Sequence, residues 1–158
     1  MPVLLTETSR TDTLGSIMEQ LHATCVAIDK MGVLIRGPSG SGKSDLALRL
    51  IDAGARLVAD DRCDIQIDNG RVMASAPTTI AGLLEVRGLG IMRIEALSRI
   101  PVSLLIDLVA EKDIERLPEP TTVDIAGVAI SAIRLDPFSA SAAAKVRMAL
   151  AQVGDITA

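Results

Sequence analysis

The chain has 158 residues, of which 49% are hydrophobic and 23% are charged, a composition typical of one globular domain with a hydrophobic core. Sixteen Lys and Arg residues against twenty Asp and Glu residues leave a net charge of −4, and the only aromatic residue is Phe138. Such an acidic chain, nearly without aromatic rings, does not fit nucleic-acid binding or an anionic membrane surface. The longest charge-free stretch, residues 72–84, is too short to cross a bilayer.

The ends and the cysteines indicate a reduced, cytoplasmic protein. The N-terminal MPVLLTETSRTD lacks the basic start and long apolar stretch of a signal peptide. Cys25 and Cys63 form neither a disulfide framework nor a CxxC zinc motif. We expect one domain over residues 1–158, with residues 1–20 forming a weakly structured or helical lead-in.

Strand patterns surround a glycine-rich segment in the first third of the chain. Within residues 24–36, TCVAI and GVLIR are separated by DKMG, which predicts a β-hairpin. GPSGSGKS follows, and then DLALRLIDAG, whose apolar spacing predicts a helix ending near Gly54. The glycine-rich segment is therefore predicted to join a strand to a helix.

Further strands and hairpins are predicted beyond this helix. RLVAD has the pattern of a strand, and CDIQI and RVMAS flank Asp68-Asn69-Gly70, a strong hairpin signal. Residues 83–86 and IMRI predict two short strands around RGLG. The continuously apolar residues 102–109 predict a buried central strand.

The last third is predicted to hold a surface loop, two strands and a closing helix. EKDIERLPEPTT is charged and contains two prolines, which indicates a loop or a short helix and turn. Short strands are predicted near Val123 and Val128, and the alanine-rich residues 139–153 predict the helix. The fold class is therefore α/β with a mixed, partly antiparallel sheet rather than regularly alternating βαβ units.

The glycine-rich segment matches the P-loop pattern GxxxxGK[ST] at every fixed position. Small glycines let backbone N–H groups approach phosphate oxygens, and the following helix directs its positive end at the same oxygens. The lysine adds a charge near the β- and γ-phosphates, and the serine hydroxyl can bind Mg²⁺. The predicted nucleotide-binding residues are Gly37, Pro38, Ser39, Gly40, Ser41, Gly42, Lys43 and Ser44.

A second acidic group is expected at the end of a buried strand, and the residues alone offer two places for it. VSLLID ends in Asp107, and LVADD ends in the adjacent Asp60 and Asp61. Two neighbouring carboxylates could divide the work, one binding metal and one acting as a base, because like charges separate their pKa values. Spacing leaves the two places equally good candidates.

Three further features are weak signals on their own. EVRGLG, which begins at Glu85, resembles a strand and turn with an exposed ion pair. His22, the only histidine, and Arg116, in a charged stretch, would each by default be solvated or packed residues.

Taken together, these residues resemble the catalytic domain of bacterial HPr kinase/phosphorylase. The similarity lies in LHATCVAIDKMGVLIRGPSGSGKSDLALRLIDAGARLVADD followed by LLEVRGLGIM, and it extends from Leu21 to Leu117. A histidine before the P-loop, ADD after its helix and an E[IV]RGxGI element are jointly specific. The resemblance implies a P-loop kinase core, and a short form without the additional N-terminal domain of full-length members.

The resemblance implies that the protein uses ATP to phosphorylate a serine of the carrier protein HPr, and that it can remove this phosphate by phosphorolysis. It implies a catalytic set of His22, Lys43, Asp61 and Arg116, with Asp61 as the general base. Ser44 and Glu85 would hold Mg²⁺, and we add Asp60 to the candidate metal ligands. The family also forms hexamers, so a homo-oligomer is expected.

The sequence departs from the family at two points. Asp45 stands where the family usually has Glu. Near residues 133–140 the family's PVRPGRN element is replaced by IRLDPFSA, which keeps one proline and does not match the element's arginines. Because that element is associated with dephosphorylation and partner contact, the change weakens the expectation of phosphorolysis more than that of the kinase reaction.

Two other functions use the same motif. A small-molecule kinase would also need Lys43 and Asp61, but it generally carries an arginine-rich lid, which is not visible here. A regulatory nucleotide-binding module would switch partners with little turnover, and its GTPase form would need an NKxD motif, which the sequence lacks.

Overall fold

The computed structural model describes Ile17 and residues 19–157, with side chains described as far as Val153. The strands of this part are β1 Glu19–Leu21, β2 Ala23–Ile28, β3 Met31–Arg36, β4 Arg56–Ala59, β5 Cys63–Asp68, β6 Arg71–Ser75, β7 Leu83–Val86, β8 Gly90–Arg93, β9 Ile100–Leu108, β10 Thr121–Ile125 and β11 Val128–Leu135. The helices are α1 Lys43–Asp52 and α2 Ala142–Thr157, and short 3₁₀ helices cover Thr78–Ile80 and Glu111–Asp113.

Among the described residues, nine strands form one mixed sheet, while β7 and β8 pair separately. Strand β9 lies inside the sheet and pairs in parallel with both β3 and β11. The hairpins β2–β3, β5–β6 and β10–β11 are antiparallel. The predicted mixed α/β architecture is therefore confirmed.

Most predicted elements are present, and three differ in extent. The strand near Val128 continues to Leu135, because its second half pairs with β9. The closing helix begins at Ala142 rather than at Ser139, because the Ser139 hydroxyl and carbonyl instead accept hydrogen bonds in a preceding turn. Glu19 and Gln20, predicted as lead-in, belong to β1 because they pair with β5; residues 1–16 and 18 lie outside the described part.

The sheet is buried on both faces because its central strands are apolar at successive positions. On one face, Val33 and Ile35 of β3 and Leu104 of β9 pack with residues of α1 and α2. On the other face, Leu34 and Leu105 pack with residues of β5, β6 and β10. No helix in the described part is long and apolar enough to cross a membrane.

The parallel strands bring three chain segments to one edge of the sheet. Arg36, Asp107 and Arg134 lie side by side near the carboxyl ends of β3, β9 and β11. The Arg36 guanidinium donates two hydrogen bonds to the Asp107 carboxylate, at 2.8 and 3.1 Å, and this contact raises the pKa of Arg36. Ligands of α/β sheets bind at such carboxyl edges, so the functional site is expected here.

The two cysteines are free and buried. A hydrogen bond with Cys25 and burial raise the pKa of the Cys63 thiol. Because the thiolate is the reactive form, Cys63 stays protonated and unreactive at neutral pH.

The central position of β9 predicts a large stability loss when its core is truncated. Leu105→Ala removes a fully buried side chain, and we expect the free energy of unfolding to fall by about 2–5 kcal/mol. Urea denaturation followed by circular dichroism measures this, since the chain has no Trp or Tyr. Leu117→Ala, at a highly exposed leucine, is the matched control and should change stability by less than about 0.5 kcal/mol. Similar losses in both variants would contradict the assigned core.

Candidate active site

The P-loop follows β3 directly and ends in the first turn of α1, as the sequence predicts. Gly40 and Gly42 have φ angles of 79° and 103°, in the left-handed region that favours glycine. Gly37 allows the loop to bend tightly, because a Cβ atom there would lie 2.6 Å from the Ser41 Oγ atom and 3.2 Å from the Leu108 Cβ atom. The loop therefore presents backbone rather than side chains at the start of the helix.

Lys43 is held inside the curve of this loop. Its side chain is 5% exposed, and its Nζ atom donates hydrogen bonds to the carbonyl oxygens of Gly37 and Pro38, at 2.8 and 3.1 Å. The same atom lies 3.8 Å from a carboxylate oxygen of Asp61. The lysine charge is thus fixed between the loop and an acidic side chain.

Asp60, the first residue after β4, connects three other segments of the site. One of its carboxylate oxygens accepts hydrogen bonds from the hydroxyls of Ser44, at 2.6 Å, and Thr24, at 3.1 Å. The other accepts one from the backbone N–H of Glu85, at 3.0 Å. Asp60 is buried, so these donors compensate for the loss of water around its charge.

Asp61 turns in the opposite direction, toward solvent. Its φ angle of 67° is uncommon for a residue with a side chain, and its N–H donates to the Thr24 hydroxyl at 3.1 Å. The carboxylate is 55% exposed and lies 2.9 Å from Nε2 of His22. Thr24 thus contacts both aspartates and holds them in different directions.

Ser44, Asp60 and Glu85 supply only hydroxyl and carboxylate oxygens, the ligands that Mg²⁺ prefers. Ser44 and Asp60 are in direct contact, and Glu85 is exposed at the same cavity. Within the described part of the chain, no group of three or more His, Cys, Asp or Glu residues could hold a metal by itself. This donor set fits an ion that is shared with substrate phosphates, as Mg²⁺ usually is.

The P-loop opens into a cavity of about 540 Å³, within the usual range for small-molecule sites. Asp61, Glu85, Arg87 and Phe138 line it together with residues of the loop. The cavity therefore combines backbone donors, one buried cation and exposed carboxylates.

The structure separates the two places that the sequence offers for the second acid. Asp60 and Asp61 lie at the P-loop, whereas both carboxylate oxygens of Asp107 are engaged by Arg36. Arg116 is not brought to the cavity: it is exposed on the segment between the second 3₁₀ helix and β10, and it does not line the pocket. The other predicted site residues lie at the P-loop or around the cavity.

Five residues that line the cavity were not predicted as site residues: Asp45, Leu48, Val86, Arg87 and Phe138. Arg87 was assigned to an exposed ion pair, although it lines the pocket. Phe138 was counted only as the single aromatic residue, although it also lines the pocket. The Asp-Pro sequence that follows a strand was the available signal for Phe138, because it indicates a turn at the end of that strand.

Comparison with known proteins assigns this chain to a family. Residues 15–151 match the family model described as HPr Serine kinase C-terminal domain. The chain belongs to this family. The resemblance predicted from the motifs is confirmed, and so is the expected kinase-type fold.

Two relatives that match parts of this chain are both named HPr kinase/phosphorylase, and both are longer than the chain. HPr kinase/phosphorylase from Acidovorax sp. (strain JS42) is 41% identical over 123 residues, which cover 70% of this chain and 39% of that protein. The one from Clostridium tetani (strain Massachusetts / E88) is 49% identical over 78 residues, which cover 49% of this chain and 26% of that protein. The chain thus matches less than half the length of these relatives.

A solved structure covers nearly the whole chain. The Hpr(Ser) kinase/phosphatase from Coxiella burnetii matches with a TM-score of 0.76 and 28% sequence identity. The match covers 88% of this chain and 92% of that one. The family of this chain therefore has a fold that is known experimentally.

The contacts of Asp60 predict a stability loss when its charge is removed. Both Asp60 carboxylate oxygens accept hydrogen bonds, so in Asp60→Asn the NH₂ group of the amide would replace one acceptor and face hydrogen-bond donors. We therefore expect the free energy of unfolding to fall by about 1–3 kcal/mol. Urea denaturation followed by circular dichroism measures the change. Asp113→Asn, at an exposed carboxylate on the second 3₁₀ helix, should have an effect below about 0.5 kcal/mol. Equal stability of the two variants would mean that the Asp60 contacts do not stabilise the fold.

Proposed function

We propose that this chain is an ATP- and magnesium-dependent protein serine kinase whose acceptor is HPr or an HPr-like phosphocarrier. Members of its family are ATP-using kinases. The observation that carries the proposal is the position of Asp61: its half-exposed carboxylate lies at the P-loop, 2.9 Å from His22 and 3.8 Å from Lys43. A base at this place can be reached by a hydroxyl group of another protein.

ATP is proposed to bind with its phosphates on the P-loop. The N–H groups at the start of α1 and the positive end of that helix face the cavity, and no side chain at Gly40 or Gly42 covers them. Lys43 adds a full positive charge within the same loop. These groups oppose the negative charge of a triphosphate and of its transition state.

Ser44, Asp60 and Glu85 are the residues that would hold Mg²⁺. When bound, the Mg²⁺ ion would neutralise negative charge on the phosphates. The Ser44 hydroxyl donates to Asp60, so this carboxylate keeps the hydroxyl oxygen on the cavity side of α1. Asp60 thereby positions a ligand atom as well as carrying charge.

Asp61 is proposed to activate the acceptor serine. Its carboxylate takes the proton of the serine hydroxyl while the serine oxygen forms a bond to the γ-phosphorus of ATP. The bond from that phosphorus to the β–γ bridging oxygen breaks, and ADP leaves with the electron pair. His22 holds the carboxylate from the solvent side, and Lys43 draws it toward the loop.

The catalytic role of Arg116 and the homo-oligomer, both expected from the resemblance, remain part of the proposal, whereas phosphorolysis does not. Arg116 belongs to the proposed catalytic set through the family pattern, although it lies outside the cavity. Phosphorolysis is not included, because IRLDPFSA replaces the element associated with it. A cytoplasmic homo-oligomer is also proposed on the family pattern.

Removing the proposed base should reduce phosphoryl transfer and leave ATP binding intact. We expect Asp61→Asn to lower kcat by about 10²- to 10⁴-fold, the usual contribution of general acid–base catalysis. Transfer of labelled phosphate from ATP to serine of the carrier measures kcat, and calorimetry measures ATP affinity.

Asp107→Asn is the matched control, because it changes the other strand-end aspartate. It should keep its activity within a few-fold, since Asp107 contacts Arg36 rather than the cavity. If Asp107→Asn lost the activity and Asp61→Asn kept it, the assignment of the base would be wrong. A purified wild-type chain that binds ATP but never phosphorylates the carrier would remove the kinase proposal.

Arg116 can be tested against a neighbouring cation. Arg116→Ala should lower kcat by about 10²-fold if its charge acts in the transition state. Lys112→Ala, at an exposed lysine of the neighbouring 3₁₀ helix, should leave kcat unchanged. An unchanged kcat in Arg116→Ala would remove this residue from the catalytic set.

A further inference from the structure

Phe138 is an exposed aromatic side chain at the edge of the nucleotide cavity. It is the only aromatic residue in the sequence, it is 74% exposed, and it lines the same cavity as the P-loop. An exposed apolar ring costs free energy in water, about 25 cal/mol for each Å² that could be buried. Its place on the cavity wall puts this apolar surface where a bound ligand could cover it.

Backbone and side-chain contacts hold this ring beside the loop. The Phe138 N–H donates to the Asp136 carboxylate at 2.9 Å, and the Arg49 guanidinium donates to the Pro137 carbonyl. A Cβ atom at Gly42 would lie 3.1 Å from Pro137 Cγ and 3.5 Å from Phe138 Cζ. The turn is thus packed directly onto Gly42, the residue before α1.

The turn and the P-loop lie at the same edge of the sheet. The turn follows β11, which is parallel to β9, and β9 is parallel to the P-loop strand β3. The phosphate donors are the backbone N–H groups of the P-loop and of the start of α1, whereas the negative face of an aromatic ring does not attract phosphates. A triphosphate on those donors leaves its nucleoside as the apolar part that can reach the ring.

We propose that Phe138 is the base-contacting residue of the nucleotide site, and that the base stacks on the face of its ring. This inference rests on the proposed function, since it assumes that a nucleoside triphosphate occupies the P-loop. A single ring suffices for one base, whereas the scarcity of aromatics argues only against extended nucleic-acid surfaces.

Stacking on a ring has a consequence for specificity. Every base offers a π-face, so stacking contributes affinity with little discrimination between bases. We therefore expect ATP and GTP both to use Phe138, and inorganic tripolyphosphate, which has no base, not to use it.

Calorimetric titrations with ATP, GTP and tripolyphosphate in Mg²⁺ buffer test the assignment. Phe138→Ala should weaken ATP and GTP binding by about tenfold, from the known size of base–aromatic stacking, and leave tripolyphosphate affinity unchanged. In the kinase assay the same variant should raise KM for ATP and leave kcat unchanged. Phe138→Tyr keeps the ring and should restore ATP affinity.

Met148→Ala is the control, because this exposed apolar side chain lies on α2 and does not line the cavity. Equal weakening of ATP and tripolyphosphate in Phe138→Ala would mean that the ring only supports the P-loop, and unchanged ATP affinity would mean that it touches no base. Either result overturns the inference. A wild-type chain that binds neither ATP nor tripolyphosphate would instead contradict the proposed function.

Discussion

The buried carboxylate of Asp60 is the contact on which the arrangement of the site depends. It accepts hydrogen bonds from Ser44 at the start of α1, from Thr24 in β2 and from the backbone at Glu85 in β7. These segments are far apart in sequence, and a buried charge without such donors would be strongly unfavourable. The Thr24 hydroxyl also accepts a hydrogen bond from the N–H of Asp61. The contacts of Asp60 and Thr24 therefore hold the start of α1 and also set the direction of the exposed Asp61.

Two adjacent aspartates thereby acquire different chemistry from their surroundings. Asp60 is enclosed by donors, which leaves it suited to hold hydroxyl groups or a cation. Asp61 is turned outward by its left-handed backbone, and its carboxylate contacts His22 and Lys43 at one side. Strained backbone of this kind is common where a side chain must be presented to a substrate. Neither residue could exchange roles with the other without rebuilding the turn.

The local elements and the P-loop could be predicted from the sequence, because strand alternation, turn residues and the GxxxxGK[ST] spacing are local patterns. The choice between Asp60–Asp61 and Asp107 could not be made from spacing, since it depends on Arg36, which lies 71 residues before Asp107 and occupies that carboxylate. Phe138 was missed for a similar reason: its position at the cavity follows from the pairing of β11 with β9. Arg116 was predicted from the family resemblance alone. Its position outside the cavity could not be predicted from the charged segment EKDIERLPEPTT that contains it.

The packing of Leu108 and Pro137 against P-loop glycines also bears on how the protein acquires its binding ability during synthesis. The loop sequence is complete early, but Gly37 rests against β9 and Gly42 against the turn after β11, which are made much later. The nascent chain therefore contains the complete P-loop sequence before the proposed phosphate site can form. A nucleotide that binds only the folded chain favours the native state by mass action. It would therefore stabilise the chain after folding and would not direct the first folding steps.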